Sequence, residues 1–228
     1  MNCLYLTQTH LMGLSQQGLV LRNGQYLASD VWPALEKVQL AAAQHGFDLR
    51  LASAYRSFDR QLLIWNAKAQ GLRPVFDESG QALTIADLSP EELLHAILRW
   101  SALPGASRHH WGTDFDIYDA AALEPGQGFE LLGSECEPGG LFGEFYQCLD
   151  ALLREHPCFY RPYAEDQGGV SPEPWHLSYQ PLAQQCFEGF EPQALKKLIE
   201  NTDIALKQPL LKHFDELIER YFMRVSLC

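Results

Sequence analysis

No stretch of the sequence approaches the roughly 20 uninterrupted apolar residues that a membrane-spanning helix requires, so no membrane span is expected. Basic residues are scarce: 17 Lys and Arg stand against 29 Asp and Glu, a formal net charge of −12, and no run of them is long enough to make a basic patch. A phosphate backbone would be repelled, which argues against nucleic acid as a partner. The six cysteines (Cys3, Cys136, Cys148, Cys158, Cys186 and Cys228) include no Cys-x-x-Cys pair and are too few for a disulfide framework. They are expected to be buried or terminal thiols in a reducing compartment, although an even count leaves pairing open. The opening segment, MNCLYLTQTHLMGLSQQG, has neither a basic n-region nor an apolar h-region. The expected location is therefore cytoplasmic, or periplasmic if the chain is a processed form. Also missing are His-Glu-x-x-His, Ser-x-x-Lys, Gly-x-Ser-x-Gly and Gly-x-x-x-x-Gly-Lys patterns, which removes the usual serine hydrolases and P-loop enzymes.

What is present suits one substantial domain: 228 residues, 46% hydrophobic, without repeats or low-complexity tracts. A helix is predicted over about 30–45, capped by Asp30 and ended at Gly46, then a strand in FDLRLASAY with Phe47, Leu49, Leu51 and Ser53 on one face. A second helix, SFDRQLLIWNAKAQG, is expected to bury Leu62, Leu63 and Trp65. SPEELLHAILRW carries a full start signal, with Ser89 as N-cap, Pro90 in the first turn and Glu92 closing a capping box. FDIY reads as a short strand, LFGEFYQCLDALLREH as an amphipathic helix, and CFYRPY and EPWHLSY as two further strands. Beyond Glu191 two helices are expected, broken near Pro209, packing on the core or on a second subunit. Strands and helices without a regular βαβ rhythm define an α+β class, with a mainly antiparallel central sheet flanked by helices. The expected division is a core over 1–190 and a C-terminal helical tail over 191–228.

The stretch SRHHWGTDFDIYD concentrates two histidines and three carboxylates in residues 107–119. A catalytic zinc site needs three protein ligands from His, Asp, Glu and Cys, with one position left open. His109, in a loop, and Asp116, in the FDI strand, can reach a common point. Among the remaining histidines His176 stands out, because it lies in EPWH with a glutamate three residues before it. Glu173 would then be a base beside the metal without ligating it. Residues three apart on a strand face opposite ways, so both can face one metal only if Glu173 lies in a turn and the strand begins after Pro174.

SRHHWGTDFD, followed about sixty residues later by EPWH and preceded about fifty residues earlier by SAYRS, resembles the D-alanyl-D-alanine metallopeptidases of the VanX/VanY type. That family shares a fold with lysostaphin-like peptidases and the hedgehog N-terminal domain. Its pattern Ser-x-His-x-x-Gly-x-Ala-x-Asp, then Glu-x-x-His, falls here on Ser107, His109, Gly112, Asp116, Glu173 and His176. The resemblance implies that His109, Asp116 and His176 hold Zn2+ and that Glu173 moves the proton. It implies that Arg56 faces the scissile carbonyl or the terminal carboxylate, and that Ser107 contacts substrate or braces its loop. The implied activity is D,D-carboxypeptidase on a peptidoglycan-derived peptide. D-Ala-D-Ala dipeptidase and peptidoglycan endopeptidase are the alternatives within the class, and a non-catalytic zinc-containing peptide-binding module is the rival outside it. One departure is visible: Asp114 stands where the pattern has alanine, either orienting a ligand histidine or remaining solvated. His110 is expected to have a supporting role, and Trp111 and Trp175 to be packing.

Overall fold

The computed structural model of the chain describes residues 6–124 and 126–226. Cys3, Cys228 and the first five residues of the opening segment lie outside the described residues. Among the described residues no helix is long and apolar enough to cross a membrane.

A hairpin of β1 (Leu19–Arg22) and β2 (Gln25–Ala28) precedes the central sheet. Asn23 and Gly24 form its turn with φ of 50° and 77°, the positive values that an Asn-Gly hairpin turn demands. The central sheet comprises β3 (Leu49–Ser53), β4 (Asp114–Asp119), β5 (Phe159–Tyr160) and β6 (His176–Tyr179), antiparallel throughout in the order β3-β4-β6-β5. The central strand β4 is almost wholly buried because both faces are covered. Period-two alternation sends Phe115 and Ile117 into one core and turns Asp114 and Asp116 to the opposite face. Register then sets the partners: Asp116 pairs with His176 and Asp114 with Ser178. Directly opposed residues share a face, so the carboxylates of β4 and the imidazole of β6 emerge side by side.

The helices form two packed groups. On the Phe115 face, α2 (Val31–Gln44) and α6 (Gly143–Glu155) bury Leu35, Val38, Phe145 and Leu149 against the sheet. A second core gathers α3 (Phe58–Ala69), α4 (Pro90–Trp100), α7 (Gln180–Gly189) and the tail helices α8 (Pro192–Glu200), α9 (Lys207–Lys212) and α10 (Phe214–Ile218), around Trp65, Ile97, Trp111, Leu195 and Phe214. The short helices α1 (Gln8–Leu11) and α5 (Gly133–Cys136) complete the set. The tail is tied to α3 by hydrogen bonds as well as by packing: Trp65 Nε1 donates to the Ala205 carbonyl at 3.0 Å, and Ala205 N donates to Asn66 Oδ1 at 2.9 Å.

The Ser89 capping box forms as read, with Ser89 Oγ accepting from Glu92 N and Glu92 Oε2 accepting from Ser89 N. Other readings need correction. Asp30 makes no side-chain cap bond, since its backbone is already helical. Leu63 is 64% exposed, because the face that packs inward is Phe58, Gln61, Leu62 and Trp65, spaced i, i+3, i+4, i+7. The tail breaks over 201–206, where Leu206 takes φ 60°, and Pro209 sits harmlessly in the first turn of α9. Cys136, Cys148, Cys158 and Cys186 are free, and burial pushes the thiols of Cys136 and Cys186 up to about 12, making them inert fillers of the core.

Candidate metal centre

His109 is carried by a single 3-10 turn, Arg108–Trp111, that ends at Gly112 in the left-handed region, φ 68°. The Gly112 carbonyl also accepts from Ala28 N at 2.8 Å, clamping the turn to the hairpin. A Cβ at this position would lie 2.4 Å from Leu19 Cδ2 and 3.3 Å from Ala28 N. Gly112→Ala is therefore expected to cost about 1–3 kcal/mol of stability through backbone strain and crowding. The midpoint of urea unfolding measures it, and an unchanged midpoint would show that the turn relaxes freely.

His109, Asp116 and His176 are all buried, and one ligand atom from each lies within 4.8 Å of the others. His109 Nδ1 donates to the Ala54 carbonyl at 2.8 Å, which leaves Nε2 with its lone pair 3.4 Å from Asp116 Oδ2. His176 Nε2 lies 3.1 Å from Asp114 Oδ1 and donates to it, so Nδ1 presents its lone pair 3.3 Å from Asp116 Oδ1. His176 Nδ1 and Asp116 Oδ1 are buried without a hydrogen-bond partner. Two orphaned polar atoms facing each other are costly unless something lies between them. Two imidazole nitrogens and a carboxylate are a donor set that suits zinc, and the residues fit such an ion. Without one, burial disfavours charge on His176, yet Asp114, Asp116 and Glu173 together raise its pKa well above the usual histidine value. Burial likewise opposes ionisation of Asp116, but His109 and His176 hold its carboxyl far below the ordinary range.

Glu173 lies in the turn that precedes β6, where His176 N donates to its carbonyl at 3.1 Å, and the strand begins only at His176. The proline turn thus lets both side chains of EPWH face one point: Glu173 Oε2 is 3.3 Å from His176 Nδ1. At 19% exposure the glutamate reaches the solvent-filled side of the cleft, whereas the other three are closed off.

Asp114 is fully buried and not solvated. It accepts from His176, from Arg108 Nε at 2.7 Å and from Thr113 Oγ1 at 2.6 Å. Arg108 continues the network to Tyr160 and Ser178, each at 2.8 Å, and stacks over Trp111. Burial pushes the Asp114 carboxyl up, but Arg108 more than offsets it and the group settles at about 2.

Arg56 is stitched to the His109 turn through its backbone. Its N–H donates to the His109 carbonyl at 3.1 Å, and its carbonyl accepts from His110 Nδ1 at 2.5 Å. His110 also accepts from Gly105 N, and burial drives its imidazole down to about 3, so the ring stays neutral and keeps both bonds. The guanidinium is aimed by Gln61 Oε1 at 2.9 Å and Ser53 Oγ at 3.1 Å. Arg56, Ser107, His109, Asp116, Glu173 and His176 all line one cavity of about 450 Å³. Sequence reasoning missed Arg108 as the partner of Asp114, and it missed Lys68, Arg73 and Tyr163, which line the same cavity. The ring of Tyr163 stands 5.0 Å from that of His176.

Residues 24–182 match a peptidase family model, that of VanY, D-alanyl-D-alanine carboxypeptidase. The match spans well over half of the sequence, and the chain belongs to the VanY D-alanyl-D-alanine carboxypeptidase family. An uncharacterized protein of Haemophilus influenzae is 36% identical over 123 residues, covering 53% of this chain and 93% of that protein. A D-alanyl-D-alanine carboxypeptidase of Enterococcus faecalis is 27% identical over 165 residues, covering 70% of this chain and 50% of that one. Among solved structures, the LdcB LD-carboxypeptidase superimposes with a TM-score of 0.51 at 22% identity, covering 92% of this chain and 79% of that chain, a likeness of fold.

Proposed function

We propose that the chain is a zinc-dependent D,D-carboxypeptidase that removes the terminal D-alanine from peptidoglycan-derived peptides ending in D-Ala-D-Ala. The observation that carries the reading is the convergence of His109 Nε2, His176 Nδ1 and the Asp116 carboxylate, two of their atoms orphaned, beside the partly exposed Glu173. His109, Asp116 and His176 would hold the ion. Zinc in such a set supplies a Lewis acid that polarises a carbonyl and makes water acidic enough to react near neutral pH. Glu173 takes the proton from the attacking water on its carboxylate and delivers it to the departing amine. Arg56, whose charge does not titrate away, stabilises the oxygen of the scissile carbonyl as negative charge develops. Ser107, at the cavity wall, contacts the peptide.

The test is mass spectrometry of products from D-Ala-D-Ala, a tripeptide and a pentapeptide incubated with the zinc-loaded protein. Release of single D-alanine from the pentapeptide is expected. Cleavage of the free dipeptide alone would make the chain a dipeptidase, and internal fragments would make it an endopeptidase. Stoichiometric zinc without any cleavage would leave a peptide-binding module.

A further inference from the structure

The helix α3 lays Gln61, Ile64 and Lys68 along one face, at i, i+3 and i+7. Gln61 anchors Arg56 beside the metal ligands, while Ile64 and Lys68 line the cavity. Seven residues of helix place Lys68 about 10 Å further along the axis from Gln61, a separation that a lysine side chain and one amino-acid residue together can bridge. Arg73, just past the end of α3, lines the same cavity. In a protein of net charge −12, three cations brought to one cavity by α3 and its two flanks need a reason. Arg56 is committed to Gln61 and Ser53 and feels the charges of Asp116 and Glu173. Among the described residues neither Lys68 nor Arg73 has a carboxylate within ion-pair distance. A half-buried ammonium without a counter-ion is costly, and an arriving anion relieves that cost.

We infer that Lys68, flanked by Arg73, is the subsite that receives the C-terminal carboxylate of the peptide, and that it restricts cleavage to the chain end. Arg56 is thereby left to the scissile carbonyl. A residue released from a chain end places its carboxylate about one residue spacing, ~3.8 Å, beyond the bond being cut, on the Lys68 side of Arg56. Burial pushes the Lys68 ammonium down to about 8, with Arg73 and Arg56 acting in the same direction and Glu173 against them. The subsite is therefore charged at neutral pH and loses its charge as pH rises through about 8.

The inference rests on the peptidase reading, and two readouts keep the two separable. Calorimetry of the zinc-loaded protein with D-Ala-D-Ala and with its C-terminal amide measures binding, and hydrolysis of matched free-acid and amide pentapeptides measures turnover. Wild type is expected to favour the acid, and Lys68→Met is expected to erase about 10-fold to 100-fold of that preference, in KM rather than kcat. Lys68→Arg retains the preference, and it removes the rise of KM above pH 8 because a guanidinium does not titrate there. If Lys68→Met keeps the full acid preference while wild type hydrolyses the pentapeptide, the subsite is wrong and the peptidase reading stands. If wild type binds the acid through Lys68 yet cleaves nothing, the subsite stands and the peptidase reading falls. A wild type that neither binds nor cleaves overturns both.

Discussion

Replacing Glu173 by alanine is expected to lower kcat on a peptide ending in D-Ala-D-Ala by about 10²–10⁴-fold, the range for losing a positioned acid–base group, while zinc content stays stoichiometric. The separation of the two effects follows from the geometry. The three buried donor atoms that would hold the ion belong to His109, Asp116 and His176, and Glu173 stands beside them with its carboxylate partly in solvent. Its backbone bonds, Glu173 N to the Tyr163 carbonyl and His176 N to the Glu173 carbonyl, do not involve the side chain, so alanine leaves the turn intact. Metal analysis and steady-state kinetics on the same preparation decide the matter. Undiminished turnover removes the glutamate from the reaction, and loss of zinc in step with activity makes it a ligand instead.

Asp114→Ala should act on two properties at once. His176 loses the acceptor that fixes its ring and leaves Nδ1 free, and zinc affinity is expected to fall about 10-fold to 100-fold, as for other histidine ligands deprived of a carboxylate. Arg108, 2% exposed and already lacking a partner at Nη1, is stranded. Breaking a buried pair from one side costs about 3–5 kcal/mol, which for a chain of this size lowers Tm on the order of 10 °C. The double variant Arg108→Met/Asp114→Ala separates the effects, recovering much of the stability and none of the zinc affinity. Equal zinc affinities in all three proteins would show that the Asp114 contact leaves the ligand ring unaffected. Acid has a matching effect. The Asp114 carboxyl sits at about 2 when folded against 3.8 unfolded, so its contribution is complete above about pH 4 and is lost as pH falls through 2.

The site was legible where chemistry is local. His109 and Asp116 sit within one short motif, and the turn in EPWH follows from the proline, so the sequence shows why Glu173 and His176 can face one point. The α+β class and the Ser89 cap were legible for the same reason. What escaped depends on distant register. The pairing of Arg108 with Asp114, and its extension to Ser178, exists only because β4 and β6 align Asp114 with Ser178. Lys68 looks like an ordinary helix-end lysine until α3 is laid along the cleft. The hairpin had its Asn-Gly turn, but LVLR and QYLA lack the alternation that would reinforce it. The helix α7, started by Pro181, was hidden behind the strand signal that runs into it.

The two packed cores meet at the cleft, and they serve different purposes there. Asp116 and His176 hang from strands rooted in the sheet-side core, among Phe115, Ile117, Trp175 and Leu177. Lys68 and Ile64 hang from a helix rooted through Trp65 in the other core, which also holds Leu195, packed against Gly105 at the approach to the metal turn. Changes in the helical half away from Gln61 and Trp111 would therefore reshape the wall that Lys68 and Ile64 form while Asp116 and His176 keep their places on the sheet. Two supports that vary independently would let the rim of the cleft change while strand register keeps the aspartate and the imidazole face to face.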